Sequence, residues 1–338
     1  MALRLSSLLI LAIAGVSATS ASEQTKGTPR ACWSPSELET KSNEDQIHGR
    51  AASNPLMPMP PNQLPELSAH SPFKTAPLGT VRRVKLPANR KLIALTFDLC
   101  ELADEVSGYQ GGIVDYLRLN GVKATFFAGG RWMLDHGERT QQIMSDPLFE
   151  IGNHTFEHHN LRLLSGSALT AEINNTELVF DRLRNELEER QCISQIQQDR
   201  PGGHPAMRVF RFPYGACDAQ SLASVRDNGL TAIQWDVTSR DSASWQSAET
   251  MKRRVLTAAR PGSIILFHAN GRGLHTEHAL KGIVAGLSAR GYKFVTVSEL
   301  LQAGEPVVSP TCYDEQQGDT DRYDELARRL DARAKGMK

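Results

Sequence analysis

Between residues 91 and 303, short apolar, β-branched runs alternate with longer amphipathic segments, and that alternation leaves few folds open. Strands separated by helices are joined by crossovers, so they run parallel, in a doubly wound sheet or a barrel. The pattern predicts seven strands, at 92–97, 123–128, 149–153, 208–212, 231–236, 263–268 and 293–297. Helices are expected near 113–120, 139–145, 167–190, 220–228, 248–259 and 277–289, several of them stopped by a glycine. A catalytic domain at 89–305 has the length of one α/β barrel, for which roughly 200 to 250 residues suffice.

The flanks read differently. Residues 1–21 carry Arg4, an apolar run from Leu8 to Val16 and small residues near Ala21, the pattern of a cleavable signal peptide. The run is shorter than the roughly 20 residues a spanning helix needs, so export to a periplasm or the exterior is expected, with no stable membrane insertion after cleavage. Residues 22–88, rich in Pro, Ser and Asn, are expected to form an extended arm, and residues 306–338 a polar surface extension. With 38 basic and 38 acidic side chains there is no cationic excess to suggest a nucleic-acid partner. Five cysteines, Cys32, Cys100, Cys192, Cys217 and Cys312, leave at least one unpaired within the chain, and the absence of a Cys-x-x-Cys pair argues against a structural thiolate zinc site. Cys100 and Cys217 could bridge across the rim of the barrel or be small buried hydrophobes.

Polar residues punctuate the ends of the predicted strands, the edge where parallel α/β folds place their chemistry. Asp98 follows LIALTF and can bind metal, take a proton or cap a loop; Glu101 offers a second carboxylate. His154 and His158, four apart, can chelate a divalent ion or form an ordinary solvated pair, and His159 leaves open which two nitrogens bind. Arg211 in FRFPYG can hold a carboxylate ionised, while Pro213 and Gly215 set a turn that presents Tyr214 by ring or amide to a substrate. His268 ends the apolar run SIILFH and suits a general acid or a core histidine bonded to backbone, with Asp236 or Asp241 to orient it.

Taken together, these residues resemble the polysaccharide deacetylase, or NodB-homology, family of carbohydrate esterases over residues 91–303. TFDLCE at 96–101 looks like the family's first motif, HTFEH at 154–158 like its second, RFPYG at 211–215 like its third and LFH at 266–268 like its fifth. The resemblance implies an α/β fold, a distorted (β/α) barrel of about seven parallel strands, with a divalent ion, zinc foremost, held by an Asp and two His. It also implies Asp98 as catalytic base, His154 and His158 as metal ligands, Arg211 as the residue steadying the base, and His268 as general acid. Tyr214 and Pro213 would meet an acetylated carbohydrate.

The sequence departs from the family in two places. Leu99 stands where a second Asp normally binds metal, so Glu101 is expected to reach the ion, with Asp98 as the competing ligand. The fourth motif has Thr238 in place of an Asp and Ser242 in place of an aromatic, with Asp241 surviving as a catalytic-site candidate. The expected function is metal-dependent removal of N- or O-acetyl groups from a cell-wall or envelope polysaccharide. The alternatives are a non-catalytic carbohydrate-binding protein on the same barrel and an amidase for a smaller substrate.

Overall fold

Residues Leu92–Leu99 are buried at every position, which requires a strand covered on both faces, as in a parallel sheet. The computed structural model describes residues 32–50, 76–190 and 206–334; the expected signal peptide lies outside them. In chain order the strands around the site are β1 (Thr80–Lys85), β2 (Leu92–Leu99), β3 (Ala124–Ala128), β4 (Phe149–Asn153), β5 (Val209–Phe210), β6 (Thr231–Ala232), β7 (Val237–Thr238), β8 (Ile264–His268), β9 (Lys293–Phe294) and β10 (Glu305–Ser309). Their pairing order is β6-β5-β4-β3-β2-β8-β7, all parallel, with β9 added beside the start of β2.

A strand is present at each of the seven expected positions, but the one expected at 231–236 is cut to β6 at 231–232, and β7 follows beyond it at 237–238. β6 and β7 form the two opposite edges of the sheet. The few residues between Ala232 and Val237 span roughly 17 Å at full extension, so the sheet must curl until its edges nearly meet. The expected distorted barrel of parallel strands is thus a curled half-barrel.

Side-chain alternation sorts the strand residues between two cores. Ile93, Leu95, Phe97 and Leu99 face the helices, where Phe97 stacks on Phe126 and Phe267 at 5.4 and 5.3 Å. Leu92 and Ala94 face the barrel interior with Phe127, Ile233, Trp235 and Leu266. Asp98 continues the interior row.

The flanks are more structured than their composition suggests. β1 pairs antiparallel with β10, and it also bridges Ile233 through Val81 and Ser263 through Arg83, so this strand pair fills the seam between the sheet edges. The chain up to residue 88 is therefore not all extended arm. Residues 32–50 pack on the barrel through buried Trp33 and Leu38, and the Arg139 guanidinium donates to the carbonyls of Glu37, Leu38 and Glu39. At the other end, Cys217 is disulfide-bonded to Cys312, and the tail helix Arg322–Ala334 shares a groove with the C-terminal ends of the strands. The expected bridge between Cys100 and Cys217 does not form: Cys217 packs with Phe212, Leu222 and Cys312, whereas Cys100 is a free thiol. Among the described residues, no helix is long and apolar enough to cross a membrane.

Candidate active site

Parallel register assembles the site. His268, the last residue of β8, pairs directly with Asp98 of β2, so both side chains leave the same face of adjacent strands. His154 follows the end of β4 and Arg211 follows β5, where the Arg211 N–H donates to the Asn153 carbonyl. Sequence-distant polar residues thus converge on one rim, as expected for strand C-termini.

Arg211 is fully buried between the rings of Phe127 and Trp235, and its Nη1 donates to Asp98 Oδ1 at 2.7 Å. Burying two charges is tolerable only because each satisfies the other. The contact also fixes the carboxylate, leaving Oδ2 directed towards His154 Nε2, 3.7 Å away.

His154 Nδ1 lies 2.8 Å from the Arg211 carbonyl oxygen. A carbonyl can only accept, so Nδ1 carries the hydrogen and Nε2 presents its lone pair on the side of Asp98, an arrangement typical of metal-ligating imidazoles. Burial lowers the pKa of His154, and burial followed by the proximity of His154 lowers that of His158 well below the usual value. Both rings are therefore neutral at pH 7, the form that binds metal. They meet edge to face with centroids 5.0 Å apart. Holding His158 there requires a left-handed backbone, φ 58°, a conformation rare for a residue with a Cβ and concentrated at functional sites.

Glu101 does not join them. Its carboxylate accepts from Arg50 Nη2 at 2.5 Å and from the Ser107 N–H at 2.9 Å, tying residues 32–50 to the barrel. Burial and then the adjacent Asp135 raise its pKa. Cys100 instead comes to the imidazoles: ligand atoms of Cys100, His154 and His158 all lie within 4.8 Å of one another, a grouping that includes neither Asp98 nor Glu101. The sequence did contain a signal for this. With side chains alternating at period two, Leu99 must turn to the core behind Asp98 and Cys100 must return to its face.

Opposite the imidazole pair, Asp241 holds His268 through two contacts, accepting from its backbone N–H at 2.7 Å and pairing with its Nδ1 at 2.8 Å. Thr276 Oγ1 donates to the same carboxylate at 2.8 Å. Burial alone would favour the neutral ring, but the charge and hydrogen bond of Asp241 outweigh it, and the His268 pKa is raised. The alternative orienter, Asp236, is occupied by Ser263, Arg260 and the Ile264 N–H.

A groove of about 710 Å³ opens over these groups, lined by Asp98, Cys100, His158, Tyr214 and His268. Tyr214 packs its ring on His158 at 4.7 Å and on Tyr323 of the tail helix at 5.7 Å. Pro213, expected to meet substrate, is buried beneath the turn, and Gly215 lines the groove in its place. Two further parts of the wall were not expected. Trp245, 68% exposed, stands three residues beyond the position where an aromatic was missing. Tyr323, Leu326 and Leu330 of the tail helix face the groove at i, i+3 and i+7, a helical period present in the sequence but hidden by its charges.

His159, the ambiguous third imidazole, faces away from the other two. Its Nδ1 contacts Glu172 at 2.9 Å and its Nε2 lies 3.4 Å from Asp331 of the tail helix. Burial disfavours its charge, yet the Glu172 hydrogen bond and the neighbouring carboxylates raise its pKa to about 9. A raised folded-state pKa stabilises fully below the unfolded value near 6.5 and ceases to do so as pH rises through about 9. The tail helix should therefore be protected at pH 7 and loosen near pH 10. Amide exchange within residues 322–334 at the two pH values, corrected for intrinsic rates, checks this, and the His159→Gln variant should show the loose state at both.

Comparison with known proteins identifies the family. The sequence profile of the family described as polysaccharide deacetylase matches residues 85–233. Over 229 residues, 64% of this chain and 96% of the relative, the sequence is 30% identical to a chitooligosaccharide deacetylase of Azorhizobium caulinodans. It is also 30% identical over 227 residues to a peptidoglycan-N-acetylglucosamine deacetylase of Bacillus cereus, covering 65% and 71% of the two chains. Among solved structures, a peptidoglycan N-acetylglucosamine deacetylase superposes with a TM-score of 0.55 at 27% identity, over 67% of this chain and 94% of the other.

Proposed function

Because the chain belongs to the polysaccharide deacetylase family, whose members hydrolyse acetyl groups from carbohydrate, we propose that it is a metal-dependent N-deacetylase of an N-acetylglucosamine-containing wall glycan, acting after export. The observation that carries this reading is the His154 tautomer: the Arg211 carbonyl holds Nδ1–H, leaving Nε2 free beside the Asp98 carboxylate. His154 and His158 would hold the ion, with zinc fitting the nitrogen donors, and the chemistry it would supply there is polarisation of an acyl carbonyl and acidification of water.

The remaining chemistry belongs to the chain. Asp98, steadied by Arg211, accepts the proton of the attacking water. His268, held by Asp241 with its pKa raised, carries the proton needed by the departing amine. Its position opposite Asp98 in the strand register lets acid and base work on one acyl group. Tyr214 and Trp245 supply aromatic walls on which a sugar ring can rest.

Since the acid must be protonated, kcat should hold below the His268 pKa and fall above it. Asp241→Asn removes the charge that raises this pKa, so the alkaline limb should move to lower pH. His268→Ala should keep its metal while kcat falls roughly 10²- to 10⁴-fold. Rate profiles from pH 5 to 10 check both expectations, and an unmoved limb in Asp241→Asn excludes His268 as the acid.

The reading as a whole is tested by acetate release from N-acetylglucosamine oligomers, peptidoglycan and O-acetylated glycans, with elemental analysis of the same protein. Acetate from the N-acetylated substrates is expected. Glycan binding without acetate release, in protein carrying one ion per chain, would favour the binding-only alternative.

A further inference from the structure

We propose that Cys100 is the third protein ligand of the metal, a thiolate standing in for the carboxylate that Leu99 cannot provide. The inference rests on the metal-hydrolase reading above and specifies its ion. Three separate observations lead to it.

The first is position. Strand alternation turns Leu99 into the helix-side core, 1% exposed, and returns residue 100 to the face of Asp98. The second is convergence: the Cys100 sulfur meets the ligand nitrogens of His154 and His158 within 4.8 Å. Of the two nearby carboxylates, Glu101 is engaged by Arg50, and Asp98, held through Oδ1 by Arg211, keeps only Oδ2 towards His154 and lies outside that grouping. The third is support. The fully buried Asn270 amide donates to the Cys100 sulfur at 3.1 Å and to its carbonyl at 2.6 Å. A donor aimed at the sulfur orients it, as second-layer groups do in metal sites, and opposes the burial that keeps the metal-free thiol protonated, so the ion itself must displace the proton.

Replacing a carboxylate by a thiolate keeps the ligand charge at minus one but changes the hardness of the site. Two imidazoles and one thiolate select Zn²⁺ and Cd²⁺ over Mg²⁺ and Mn²⁺, which prefer oxygen. When the ion binds, the Cys100 proton leaves to solvent as the sulfur–metal bond forms. Three protein ligands would leave a fourth coordination position for water or substrate, the ligand count of a catalytic rather than structural zinc site.

X-ray absorption at the zinc edge, on full-length protein loaded with Zn²⁺ alone, tests this directly. One sulfur scatterer at about 2.3 Å beside nitrogens at about 2.0–2.1 Å is expected. In Cys100→Ser the sulfur shell should vanish and zinc affinity fall by more than about 100-fold, since even second-layer changes cost 10- to 100-fold. Cys100→Asp should bind zinc and gain affinity for Mn²⁺ relative to wild type. Bound zinc with only nitrogen and oxygen neighbours would overturn the thiolate while leaving the hydrolase reading intact. Folded wild-type protein that binds no zinc, or that releases acetate equally well without metal, would overturn both.

Discussion

Replacing His154 by Ala should remove the bound metal and lower kcat for acetate release by on the order of 10³-fold or more, about 4 kcal/mol of transition-state stabilisation. The effect is large because this residue links two parts of the site. Its Nε2 faces the proposed ion position, and its Nδ1–H bond to the Arg211 carbonyl couples that position to the residue that holds Asp98. Chelator-treated wild type should fall to the same rate, and added zinc should rescue wild type but not the variant. Elemental analysis alongside acetate assays checks the correspondence. A variant that keeps its zinc and most of its activity would show that the imidazole has only a packing role.

The second large effect falls on stability as well as rate. Arg211→Met leaves the Asp98 carboxylate buried without the guanidinium that satisfies it, a change that typically costs about 3–5 kcal/mol. For a domain of this size the corresponding fall in Tm is roughly 6–20 °C. Asp98→Asn in the same chain removes the stranded charge, so the double variant should regain part of that Tm while remaining inactive. Thermal melts separate the two contributions. If the double variant melts no higher than Arg211→Met, the buried pair is not what the single substitution breaks.

The fold was legible because parallel strands covered on both faces need near-continuous apolar runs, and 92–99, 124–128 and 264–268 supply them. The strand pair at the seam was not. TVRRVK carries two arginines and reads as polar, yet Arg82 is buried because the carbonyls of Tyr313 and Asp314, 231 and 232 residues away, accept from it. No local pattern encodes a partner at that distance.

The site divides along the same line. Asp98, His154, Arg211 and His268 sit at or next to strand ends, where position along the chain predicts position in space, and His158 and Asp241 lie in the loops that follow. Glu101 was assigned by residue type, and its actual partner, Arg50, comes from a segment that composition marked as an arm. Leu99 and Cys100 could have been separated by counting faces, since period two sends one to the core and the other to the rim. The Cys217–Cys312 bond explains why the polar tail carries a cysteine: it anchors the chain leading to the helix that completes the groove wall.

The most direct test of the central claim is acetate release from N-acetylglucosamine oligomers by one protein preparation, measured as purified, after chelation, and after addition of one equivalent of Zn²⁺. The geometry of His154, His158 and Asp98 predicts activity that disappears with the metal and returns with it at unit stoichiometry. Release that persists undiminished in metal-free protein would contradict it.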